Sequence, residues 1–77
     1  MPSKPALHRL NPAKLHLSKW TAVRPCNREK HFLVTELYRD EAGTVLEIEL
    51  QAVLTGRSQR CDWRELKDAG HWLMGWQ

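Results

Sequence analysis

The sequence predicts an α+β domain, a small antiparallel β-meander of three to four strands with short N- and C-terminal helices packed on one face. Three observations carry that expectation. Residues 44–54 alternate, with Leu46, Ile48, Leu50, Ala52 and Leu54 on one side and Val45, Glu47, Glu49, Gln51 and Val53 on the other. That is the period of a strand with one dry face. Turn chemistry brackets the run, in Asp40-Glu41-Ala42-Gly43 before it and Thr55-Gly56 after it. Helix-start signals stand towards both ends, in Asn11-Pro12 and in Asp62-Trp63-Arg64-Glu65.

Taken in order, residues 1–10 contain Pro2 and Pro5 among basic and apolar residues and read as a flexible basic arm ahead of a domain spanning 11–77. Asn11 caps a helix of one or two turns from Pro12 to about Leu17, held only if Leu15 or Leu17 packs on the sheet. Lys19-Trp20-Thr21-Ala22-Val23 suits a strand that stops at Pro25, and residues 25–30 read as a polar loop. His31 to Arg39 is a second strand and Thr44 to Leu54 a third; a fourth runs from Arg57 to about Asp62.

If Asp40 pairs with Thr44, Tyr38 faces Leu46, Val34 faces Leu50 and Phe32 faces Ala52. A two-residue hairpin at Thr55-Gly56 then sets Leu50 opposite Cys61 and Ile48 opposite Trp63. Glu36, opposite Ile48, is the one misfit. Asp62 caps a helix to about Asp68, and the tail from His71 is either another helical turn, with Trp72 and Trp76 on one side, or an irregular strap.

The length suits one small domain. A chain of this size buries only about 60–65% of the surface its unfolded form exposes, so the fate of its four tryptophans matters to stability. The net charge of +3 hides an asymmetry: residues 1–31 carry seven Lys/Arg against one acid, and residues 32–77 carry five against eight. A basic half points to an anionic partner, nucleic acid first. Two cysteines, Cys26 and Cys61, make no disulfide framework, and Met1–Leu17 has no continuous apolar run. The expected setting is therefore the reducing cytoplasm, with no membrane association.

Both tryptophan blocks resemble a known family. Ser18-Lys19-Trp20-Thr21-Ala22-Val23, Glu29-Lys30-His31-Phe32, Ala52-Val53-Leu54-Thr55 and Asp62-Trp63-Arg64-Glu65-Leu66-Lys67-Asp68 with Trp72 and Gly75-Trp76 are similar to the small tryptophan-rich bacterial proteins of unknown function. The resemblance runs from about Asn11 to Trp76 and implies a one-domain bacterial protein whose biochemical role is not established. Neither cysteine falls in those motifs.

No catalytic or metal-binding pattern stands out. Cys26, His31, Cys61 and His71 are soft ligands, but none sits in the close pairs that structural zinc needs. A Cys26–His31 pair lacks an orienting third group. The expectation is a non-enzymatic binding module that uses no cofactor and no metal. Its leading ligand is single-stranded nucleic acid, RNA in particular. Lys19, Arg24, Arg28, Lys30 and His31 would supply charge, and Trp20 a stacking face if it is exposed. The alternative is a protein-interaction module or homodimer using an apolar C-terminal strap of Trp72, Leu73, Met74 and Trp76; a monomer is expected otherwise. On this reading, replacing Lys19, Arg24 and Lys30 abolishes nucleic-acid binding, and Trp76→Ala abolishes only a protein contact.

Overall fold

A computed structural model describes residues 8–77, which form one five-stranded antiparallel sheet. The strands are β1 (Lys19–Cys26), β2 (Glu29–Arg39), β3 (Val45–Ala52), β4 (Ser58–Asp62) and β5 (Trp72–Met74), in the order β4-β3-β2-β1-β5. The fold is mainly β, which corrects the expected α+β class. Both helix-start signals act as caps: Asn11 accepts a hydrogen bond from Ala13 N (3.1 Å) and Asp62 one from Arg64 N (2.9 Å). Each cap opens only a 3-10 turn, Pro12–Lys14 and Trp63–Lys67. Three to five residues cannot offset the cost of nucleating an α-helix. The first turn is followed at Leu17 by a left-handed residue (φ 65°), whose N–H bonds Val34 O. The second ends where Asp68 turns its carboxylate onto Gly70 N and His71.

The tail is a strand, not a helical turn or a loose strap. β5 pairs with β1 through Trp20–Met74, Thr21–Leu73 and Ala22–Trp72. The expected loop at 25–30 also shrinks. β1 and β2 continue to a Cys26–Glu29 pair, and the chain reverses through Asn27 and Arg28, both at positive φ (54° and 61°). Positive φ at both central residues is the geometry of a tight hairpin that matches strand twist.

Between β2 and β3 the Phe32–Ala52 and Val34–Leu50 pairs stand as expected. Beyond them a bulge on β2 at Thr35 shifts the partners, so Glu36 faces Glu49 and Leu37 faces Ile48. The Glu36 misfit disappears because one inserted residue sends every later side chain to the other face. A second bulge, on β3 at Leu46, pairs Tyr38 with Glu47 and Arg39 with Val45. Val45 is thereby buried and Leu46 exposed, the reverse of the simple alternation. The Asp40–Gly43 turn forms as expected, with Gly43 N on Asp40 O (3.0 Å) and Asp40 N on Thr44 O (2.9 Å).

The next hairpin is wider than two residues. Val53–Gly56 loop out, closed by Gly56 N to Ala52 O and Ala52 N to Arg57 O (2.8 Å each). Leu50 therefore faces Gln59, and Ile48 faces Cys61. The shift is two residues, so the dry face survives it.

That dry face carries Trp20, Phe32, Val34, Ile48, Leu50 and Ala52, all buried. It is covered by Leu66 of the second 3-10 turn and by Leu10 and Leu15, with Trp63 and Trp72 packed at its margins. Residues 1–7 of the expected arm lie outside the described residues. Its last three do not hang free, since His8 N donates to Lys67 O (2.8 Å), His8 Nε2 donates to Trp72 O (2.7 Å) and Leu10 packs on the core.

Candidate functional site

The second face of the sheet is open, and its chemistry derives from alternation along β1. Lys19 and Thr21 point opposite to Trp20 and Ala22. At Gly75 (φ 79°) the chain turns after β5 and brings Trp76 onto this open face. Three hydrogen bonds fix the turn: Gly75 N to Lys19 O (2.8 Å), Thr21 Oγ1 to Gly75 O (2.7 Å) and Gln77 N to Thr21 Oγ1 (3.0 Å). Trp76 Nε1 donates to Phe32 O (2.9 Å), which pins the indole while leaving its residue 43% exposed. Lys19 Nζ lies 4.8 Å from the ring centroid, and the His31 ring packs 6.0 Å from it. His31 Nε2 in turn donates to Gln77 O (2.8 Å).

His31 also lines a depression of about 230 Å³ with Arg28, Lys30, Val53 and Leu54. Lys19, Trp76, His31, Lys30 and Arg28 therefore form one continuous basic-aromatic strip. At the far end of β2 the character inverts. Glu49 accepts from Thr35 Oγ1 (2.9 Å) and Tyr38 OH (3.0 Å), and Arg60 bridges Glu47 (2.8 Å) while its guanidinium covers the Tyr38 ring (3.8 Å). These acids are engaged by their own neighbours and leave the basic strip unopposed at its end of the sheet.

The remaining residues singled out in the sequence are elsewhere. Trp20 is 1% exposed, its Nε1 bonded to Ser18 Oγ (2.8 Å), so the condition for stacking on a base is not met. Arg24 lines a cavity on the covered face. Trp72 is half-buried edge-on against Phe32 (5.2 Å between centroids), and Leu73 is half-buried within β5. Of the C-terminal strap only Met74 and Trp76 stay well exposed. Trp76, assigned from sequence to a protein contact, thus joins the basic set.

The cavity measures about 470 Å³ and is lined by Ala22, Arg24 and Cys26 on one side and by Phe32, Trp72 and Arg57 among others. It lies where β1 carries five residue steps, from Thr21 to Cys26, against two on β2, from His31 to Glu29. At its wall Glu29 is 4% exposed. Its carboxylate receives both Arg57 Nε (3.2 Å) and the Arg57 terminal nitrogen, and Thr55 Oγ1 donates to it at 2.5 Å. Sequence reasoning passes over Glu29 and its two distant partners. The available signal is that Glu29 is the sole acid among the first 31 residues, two positions ahead of the expected second strand.

The family described as Tryptophan-rich protein (DUF2389) matches residues 18–77. The chain belongs to that family. No curated protein and no solved structure matches the chain significantly. The match begins at Ser18, so in this tryptophan-rich protein it takes in the entire five-stranded sheet and leaves out the segment before β1. Among the described residues no three His, Cys, Asp or Glu side chains converge as a metal site requires, and no helix is long and apolar enough to cross a membrane.

The Glu29 cluster sets an acid response for the tryptophan-rich protein. The Arg57 hydrogen bonds, then that from Thr55, hold the Glu29 carboxyl below its ordinary 4.5. A carboxylate lowered on folding contributes stability above its ordinary pKa, and that contribution is lost as pH falls through the folded value. Asp62, beside Arg64, and Asp68, beside His71, are lowered in the same sense. Glu29→Gln is expected to be less stable than wild type at neutral pH, with a smaller further loss on acidification to about pH 3. Urea midpoints across that range measure it; parallel pH curves for the two proteins would mean the cluster does not couple to folding.

Proposed function

We propose that the tryptophan-rich protein is a non-enzymatic binding module that holds single-stranded nucleic acid, RNA in particular, on the open face of its sheet. The observation that carries this reading is the grouping of Lys19 and His31 about the exposed Trp76 ring, with Lys30 and Arg28 continuing the strip. A base stacks on an aromatic face, and the strand's phosphates pair with cations spaced along it. Trp76 supplies the face and the four basic side chains the charge. A backbone carbonyl and the Lys19 and His31 side chains hold the indole in place, so little ordering remains to be done on binding.

Titration of labelled single-stranded RNA at rising salt tests the reading. Three or four phosphate contacts predict a log–log salt slope of about −2 to −3. Absence of binding at low salt, or affinity indifferent to salt, would contradict it. A second reading has one observation in its favour, the exposure of Met74 and Trp76 beside the sheet edge at β5. A protein docked there would bind through apolar contact and show little salt dependence.

A further inference from the structure

We propose that the cavity on the covered face binds a small planar aromatic acid, its ring against Phe32 and Trp72 and its carboxylate on Arg24. At about 470 Å³ the cavity falls within the volume range of small-molecule sites. Its aromatic floor is a corner: Phe32 and Trp72 stand at 86° with centroids 5.2 Å apart. A flat ring can stack on one of these and meet the other edge-on, both favourable aromatic geometries.

The charged rim selects the ligand class. Arg57 is committed to Glu29, and His71 to Asp68. Arg24 has no ion-pair partner among the described residues, although it lines the cavity. An unpaired guanidinium presents a planar fork that fits a carboxylate. Glu29, Glu65 and Asp68 line the same space, so a multiply charged phosphate meets far stronger repulsion than a single carboxylate. The cavity and Trp76 lie on opposite faces of the sheet, so occupancy here is separable from nucleic-acid binding on the open face.

The test is titration of the full chain with benzoate and indole-3-carboxylate, with the corresponding amides as uncharged controls. Two readouts are followed, the Trp72 indole N–H shift and the alkylation rate of Cys26, which lines the cavity and is exposed. Cys61 is the internal control, because burial pushes its thiol up to about 12 and leaves it unreactive. The expected result is a Trp72 shift and slowed Cys26 alkylation with the acids, an unmoved Trp76, and affinity at least about tenfold weaker for the amides and for Arg24→Gln. A silent Trp72, equal binding of acids and amides, or an Arg24→Gln protein that binds as wild type would each overturn the proposal.

Discussion

Trp20→Ala is expected to remove a large share of the protein's folding stability. The indole sits 1% exposed between the paired strands, with Phe32 its partner on β2 and Met74 its partner on β5. His8 packs edge-on against it at 5.6 Å, and its Nε1 bonds Ser18 Oγ, which itself donates to Leu15 O (2.6 Å). Truncation therefore removes packing for the N-terminal cover as well as for the sheet. Large-to-small changes at such sites cost about 3–5 kcal/mol. A domain of this size has a total of roughly 5–10 kcal/mol to lose. Loss of amide dispersion in the NMR spectrum, or a large drop in urea midpoint, is the expected reading. A variant with the wild-type midpoint would contradict the burial of Trp20.

Trp76→Ala is expected to have the opposite profile, a stable protein that binds RNA poorly. The ring is exposed and its one hydrogen bond goes to a backbone carbonyl at the strip's edge, so folding loses little. One lost stack is worth roughly 1–3 kcal/mol, about 5- to 150-fold in affinity. Lys19→Ala should weaken binding less and reduce the salt slope by about one unit, because it removes a phosphate contact and the cation over the ring. Arg24→Ala should leave RNA binding unchanged, since Arg24 lies on the covered face. Fluorescence anisotropy on the three variants reads these effects. Equal affinity of wild type and Trp76→Ala would remove the indole from the interface.

The contrast between these two tryptophans shows how far local pattern reaches in this chain. The alternation of Ile48, Leu50 and Ala52 marks the dry face, and Asp40–Gly43 marks its turn, because both are local signals with a fixed period. Asn11 and Asp62 are equally legible as caps. The length of helix that a cap opens is another matter, set by how far the segment runs before tertiary contacts divert it. Here that run is short in both places. The bulges at Thr35 and Leu46 are invisible to a period-two reading, although the Glu36 misfit is their trace. β5 escapes notice because a three-residue strand beside Gly75 carries too little pattern to compete with the i, i+4 spacing of its tryptophans.

The candidate strip is half legible. Lys19, Lys30 and His31 emerge from charge and from proximity to the first tryptophan block. Their aromatic partner comes from the other end of the chain, through the β1–β5 pairing that local reasoning does not reach. Arg24 is misplaced by sequence reasoning because charge alone does not say which side of a strand a residue takes. Two residues beyond Ala22, Arg24 falls on the covered side with Trp20 and lines the cavity with Phe32 and Trp72.

The most direct measurement is an indole N–H NMR titration of the wild-type protein with a mixed-sequence single-stranded RNA, at low and then at high salt. Trp76 should shift progressively and return towards its free position as salt rises, while Trp20, sealed in the core, should not move. A Trp76 resonance that stays fixed at low salt, or one whose shift persists unchanged at high salt, would contradict nucleic-acid binding by the open face.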